Sequence, residues 1–200
     1  MATVIPFEER AVARLRDRLG AAEEANQDLI AFARGHSGAV ASIHQAVLAA
    51  IDSDGVDALL HVVTQEWPLI LRIDAVALSL IVGDRGFRAD GSGIQQVDPE
   101  ILRRSIDNVG AVEMRTVERG HPLFGPACAL IRAQALVRID CEPQPRQTTG
   151  RAQRLPIGLL ALGQREGLTL DARHGSELLM FLGDALAAMI RKWLTLPSAI

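Results

Sequence analysis

The side chains of this 200-residue chain best suited to holding a metal or moving a proton are five histidines and two cysteines. His36, His44, His61, His121 and His174 are scattered, and none forms an HxxE, HExxH or HxH pattern with carboxylates, so no metal site is expected. Asp171 and His174 have the spacing of an acid/base pair, although an N-cap followed by an exposed first-turn histidine uses the same residues. Cys128 follows His121 closely enough to suggest an activated thiolate. No third group orients such a pair, and a structural cysteine accounts for Cys128 without chemistry. No catalytic residue is therefore expected. Gly83, Gly86, Gly91 and Gly93 match neither GxGxxG nor GxxxxGK[ST], and read as the glycines of a hairpin loop.

One group of residues points to binding. Phe124, Cys128 and Ile131 recur at helical spacing after a Leu-Phe-Gly turn, and Arg132 lies four residues after Cys128. Together they can line a pocket with one cation for a small anionic or planar metabolite, against the alternative of core packing with a solvated arginine. Arg138, Arg146, Arg151 and Arg154 stand against Asp140 and Glu142, which describes a solvated loop or an anion-gathering flap. The identity of a cofactor is not legible.

The elements that position these residues follow from periodicity. Residues 7–36 are rich in Ala, Arg, Glu and Leu, strong helix formers. Val12, Leu15, Leu19, Ala22, Asn26, Leu29 and Ala33 alternate steps of three and four and make a narrow a/d seam, with Asn26 at an a position suited to a parallel two-stranded coil. Val12, Leu15, Leu19, Asn26 and Leu29 are the candidate dimerisation residues, unless the stripe lies on its own domain. Gly20, Gly35 and Gly38 predict breaks near 20 and 35–38. Helical stripes then run from Val40 to Ile51 and from Val56 to Val63, the latter ended or kinked by Pro68.

Residues 73–82 form a central strand whose large face carries Val76, Leu78, Leu80 and Val82 and whose small face carries Ala75, Ala77 and Ser79. The small face either admits a helix closely or leaves a cavity, which would put Ser79 beside Phe124, Cys128 and Arg132. A loop is expected over 83–93, and a helix capped by Asp98 runs to about 109. An edge strand follows at 111–117, a turn at 119–126, a short helix at CALIRAQ, and strands at 135–140 and 156–164. Residues 142–154 read as a mobile loop, and a last helix starts at Thr169 or Asp171 and carries on to Trp193.

This order is α+β, with helices on one face of an antiparallel sheet. Net charge is −3 and the pI is near 6.0, while five Phe, two Trp and no Tyr leave few stacking platforms, so no direct nucleic acid is expected. The longest apolar runs fall well short of the roughly twenty residues of a membrane span. With no leader and no CxxC, a cytoplasmic protein is expected.

Leu123, Phe124 and Gly125 followed by ALIRAQALVRI, then IGLLALGQREGLTLDARHGSELLMFLGDAL at 157–186, resemble the DUF484 family of GAF-like proteins, as does DLIAFAR at 28–34. The resemblance implies a GAF-like domain over 37–197 preceded by a coiled-coil segment over 1–36. It also implies a pocket between the sheet and its crossing segments, with the first and last helices forming a homodimer bundle on the opposite face. The function it implies is a non-enzymatic sensory or partner-docking domain, the alternative being a scaffold whose pocket is filled. Such families are often encoded beside a tyrosine recombinase, a possible protein partner.

Overall fold

The structure, a computed structural model, describes residues 7–141, 156–166 and 172–195. The segment 142–154, expected to be a loop, and Thr169 and Asp171, expected to begin the last helix, lie outside the described residues. The chain divides into two compact units, Met1–Ala41 and Ser42–Ile200.

Helix α1, Phe7–Ile51, is continuous, which corrects the expected breaks at Gly20 and Gly35–Gly38. Nothing lies within 4 Å of where a β-carbon on any of the three would stand, so each is an exposed helix-interior glycine. Its cost of about 1 kcal/mol is offset by the flanking Ala, Leu and Arg. Within the first unit Leu15 and Leu29 are 63% and 65% exposed.

In the second unit six strands form one antiparallel sheet in the order β3-β2-β1-β6-β5-β4. They are β1 Ala75–Val82, β2 Arg85–Asp90, β3 Gly93–Val97, β4 Val112–Thr116, β5 Ala133–Asp140 and β6 Ile157–Gln164. With its helices this is the α+β plan expected from the order of elements, helices packed on an antiparallel sheet. The apolar β1 and β6 are central and β4 is an edge, as the patterning predicts. Residues 85–97 are a correction: the expected loop is a hairpin, with Leu80 opposite Phe87 and Arg88 opposite Gln95. Arg88, Asp90 and Gln95 lack strand propensity, but main-chain pairing to β1 supplies what the side chains do not.

The strand period sorts side chains onto two cores. Val76, Leu78, Leu80, Val137, Ile139, Leu160 and Leu162 pack against the end of α1, against α2 Val56–His61 and α3 Trp67–Leu71, and against α5 Ala172–Thr195. Ala77, Ile81, Leu136, Leu159 and Ala161 pack on the other face against α4 Pro99–Asp107 and a 3-10 segment, Pro122–Ala129. Asp98 caps α4 by accepting from the Glu100 N–H at 2.8 Å. Pro68 changes the helix without ending it. Residues Val62–Glu66 widen into a π-helical turn, in which Trp67 N–H reaches Val62 O, and α3 begins around the proline.

Candidate functional site

Ser79, Phe124, Cys128 and Ile131 do come to one face of the sheet, but the space between them is filled. Ser79 is 0% exposed and its hydroxyl donates to Leu159 O at 3.3 Å across β1 and β6. Phe124 and Ile131 are buried in the same core, with Cys128 partly buried against it. The small faces of Ala77 and Ser79 thus let the 3-10 segment approach closely. Arg132 is exposed and turns back on its own turn, donating from Nη1 to Ala129 O at 2.8 Å and to Ile131 O at 3.1 Å. Phe124, Ile131 and Cys128 share that core, Ser79 lies on the same face of the sheet, and Arg132 is at the surface.

His121 and Cys128 do not form a reactive pair either. His121 Nδ1 accepts from the Leu123 N–H at 3.2 Å, capping the 3-10 segment, and the His121 backbone N–H donates to Gln134 Oε1 at 2.7 Å. Burial, reinforced by Arg115, holds the imidazole below its ordinary pKa, which keeps Nδ1 free to accept. Cys128 Sγ instead accepts from Arg119 at 3.5 Å. Among the described residues no three His, Cys, Asp or Glu side chains are grouped to hold a metal ion.

The open space lies one step along the sheet. A cleft of about 420 Å³ is bounded by the π-helical turn and α3, the start of β1, the β2–β3 turn and the 3-10 segment. Its walls are mainly apolar, from Pro68, Leu69, Val76, Phe124, Pro126 and Ala127, with Asp74, Asp90, Thr64, Gln65 and Ser92 as polar groups. A small metabolite fits such a volume. Among the described residues no lysine or arginine lines it.

Asp90 of that wall belongs to a buried ion pair. Arg88 and Asp90 alternate on β2, on the face of Ser79, and Arg88 Nη2 stands 3.1 Å from Asp90 Oδ2 with side chains 14% and 8% exposed. Arg88 Nη2 also donates to Gln95 Oε1 at 2.7 Å, and Asp90 Oδ1 accepts from the Ser92 N–H at 2.8 Å and from the Ser92 hydroxyl. The ion pair is a contact of charges and not an aligned hydrogen bond, for Arg88 Nε and Asp90 Oδ2 are both buried without a hydrogen-bond partner. Gly125 covers them. Its backbone, at φ 56 and ψ −127, interrupts the 3-10 segment, and a β-carbon there would lie 3.0 Å from Arg88 Nη2 and 3.1 Å from Asp90 Oδ2.

Sequence reasoning missed Arg88 and Asp90 because it read a loop over 83–93, and it assigned no element to Gln95. The available signal was the alternation of Gly86, Arg88 and Asp90 with Phe87 and Ala89, a period of two inside a glycine-rich stretch.

The family model described as "Protein of unknown function, DUF484" matches residues 1–195. No curated protein matches the chain. Among solved structures, a far-red absorbing dark state with bound biliverdin IXa is 16% identical, covering 76% of this chain and 99% of that one at a TM-score of 0.47. The GAF domain of a two-component sensor histidine kinase from Bacillus halodurans is 13% identical, covering 60% and 82% at 0.42. Free methionine-R-sulfoxide reductase from Neisseria meningitidis, in complex with its substrate, is 17% identical, covering 75% and 84% at 0.45.

Proposed function

The chain belongs to the DUF484 family, and from that premise we propose that residues 37–197 are a non-enzymatic sensory or partner-docking domain that binds a small molecule and works as a homodimer. The observation that carries this reading is the cleft of about 420 Å³ whose wall includes Asp90 of the incompletely satisfied Arg88–Asp90 pair. A cleft of this size, open on one side and floored by a rigid sheet, suits reversible binding. Of the four expected ligand-binding residues, Phe124 lines the cleft, and Ser79, Cys128 and Arg132 are not among its lining residues.

The homodimer rests on the seam of Val12, Leu15, Leu19, Asn26 and Leu29, all exposed on α1. A 1–36 coiled-coil segment that buries this seam against a second copy would remove apolar surface that a lone chain leaves in water. Among the described residues no helix is long and apolar enough to cross a membrane. A scaffold role has one observation in its favour, the near-complete burial of Ser79 and Phe124.

Native mass spectrometry of the freshly purified full-length protein tests both parts. The expected result is a dimer carrying a small-molecule adduct lost on denaturation. A bare monomer from every preparation, unchanged by added metabolites, would leave the scaffold reading in place.

A further inference from the structure

We propose that His121 is a proton-operated latch on the wall of the cleft: the neutral ring holds the turn that sets Phe124 in place, and the protonated ring releases it. That this release bears on a bound molecule rests on the reading of the cleft as a small-molecule site. The latch itself does not.

Three hydrogen bonds fix the 3-10 segment at His121. The main-chain N–H donates to Oε1 of Gln134, a buried residue of β5, at 2.7 Å, and the carbonyl accepts from the Phe124 N–H at 3.0 Å. Nδ1 accepts from the Leu123 N–H at 3.2 Å. Only this third bond depends on a proton. For Nδ1 to accept, the neutral ring carries its proton on Nε2. A proton taken up from solvent goes to Nδ1, so that two N–H donors face each other and the Leu123 N–H loses its acceptor, a cost that the turn escapes by moving.

Such a movement reaches the cleft. Phe124 is 3% exposed, and β-carbons on Gly120 and Gly163 would lie 3.1 Å and 2.9 Å from its ring. A ring without slack passes a shift of its backbone on to its neighbours. Phe124 lines the cleft, as do Pro126 and Ala127 beyond it. Between them Gly125, at φ 56 and ψ −127, is the joint at which the segment changes direction. Leu123 and Phe124 before the joint are buried, while Pro126 to Ala129 after it are exposed or half-buried, so the released wall yields on the far side of the joint.

The charges around the ring set when the latch opens. Burial opposes protonation most; on β4 Arg115 opposes it and Glu113 favours it, and these two are paired with each other at 3.0 Å. The residue of β5 at the latch, Gln134, is neutral. On β2 Arg88 and Asp90 are paired, and Asp74 before β1 is paired with Arg165. On its own segment Glu118 is exposed, and Arg119 donates to Cys128. The latch is therefore closed at neutral pH and opens in acid, below the ordinary histidine value of 6.5.

The test is a titration of the full-length 15N-labelled protein, with no ligand added, from about pH 7.5 downward. The amide signals of Leu123, Phe124 and Ala127, and of Val76 and Ser92 on the other walls, are expected to move with one midpoint shared with the His121 ring and lying below 6.5. Protection of the Leu123 amide from exchange, corrected for pH, should fall about tenfold across that midpoint. His121→Asn keeps an acceptor that does not titrate and should hold all of these signals still. The other four histidines are common to both proteins, so the difference between the two titrations belongs to His121. His121→Ala should show the acid positions of these signals already at neutral pH; if it does not fold, His121→Asn still decides. Shifts confined to Leu123, a cleft titration that survives His121→Asn, or a ring still neutral where the protein unfolds would overturn the latch. Native mass spectra without a small-molecule adduct would overturn the reading of the cleft alone, since this titration needs no ligand.

Discussion

A β-carbon built on Gly163 of β6 stands 2.9 Å from the ring of Phe124 and 2.8 Å from Ile131 Cδ1. The strand and the 3-10 segment therefore meet where hydrogen is the largest substituent that fits. Gly163→Ala is expected to destabilise by about 1–3 kcal/mol through overpacking, and Phe124→Leu in the same chain is expected to return part of that loss. Urea denaturation of both single variants and the double variant gives the coupling; strictly additive losses would mean that the two do not press on each other.

The Arg88–Asp90 pair makes a second case. Removing Asp90 alone leaves a buried guanidinium with no counter-charge and only the Gln95 amide as partner, so Asp90→Ala should lose about 3–5 kcal/mol. Arg88→Met combined with Asp90→Ala should recover much of that loss. Chemical denaturation of the three variants decides it, and a double variant no better than Asp90→Ala would place the cost in lost packing.

Acid should weaken the fold through His121. Burial, then Arg115, lower its pKa in the folded protein below the ordinary value of 6.5, so below that pH the unfolded chain takes up a proton that the folded one refuses. The associated stability is complete above 6.5 and declines as pH falls toward the lower folded value, by at most about 1.4 kcal/mol per pH unit. His121→Asn keeps an acceptor at the cap and should flatten this part of the stability profile between pH 7 and 5 (thermal or urea melts, in about half-unit steps).

The two cysteines should differ in reactivity. Burial, then the neighbouring Asp140, push Cys141 from 9.0 to about 11, which makes its thiolate about a hundredfold scarcer at neutral pH than an ordinary thiol's. Cys128 is partly exposed and touches Arg119. A thiol reagent at pH 8 should label Cys128 in the native protein and reach Cys141 only on unfolding, with peptide mass spectrometry showing the order. Equal labelling rates would contradict the packing around Cys141.

On the proposed dimer, Leu19→Glu or Leu29→Glu places a charge in the α1 seam without touching the sheet. Light scattering should then give the mass of one chain, or a dissociation constant raised at least tenfold, with the circular dichroism of the globular unit preserved. An unchanged dimer would move the interface elsewhere.

How much of this was legible follows from side-chain pattern. The strands at β1 and β6 have apolar residues on both faces and announce themselves, and Asp98-Pro99-Glu100 announces α4. The hairpin of β2 and β3 was hidden because its order comes from main-chain pairing, which polar residues such as Gln95 and Gln96 do not signal. The alternation of large and small residues along β1 marked Ala77 and Ser79 as a place of either close approach or a cavity, and both are fully buried. It did not say whether that place was empty, since Phe124 reaches it from a residue 45 positions away in the chain. The cleft is built from four separate segments and has no local motif at all.

The π-helical turn at Val62–Glu66 has a consequence in terms of phase. Each residue of an α-helix advances about 100° around the axis, and a π turn takes up one residue more than the α register would over the same length. Everything after it, Trp67 and Leu69 included, is rotated by one such step relative to Val56–His61. Trp67 is thereby turned inward, where its indole donates to Ala46 O at 3.0 Å, and Leu69 is left on the cleft. The geometry of the cleft wall is thus set by a count, one residue between His61 and Trp67, so a single deletion there would preserve helix content while exchanging which side chains face the core and which face the cleft.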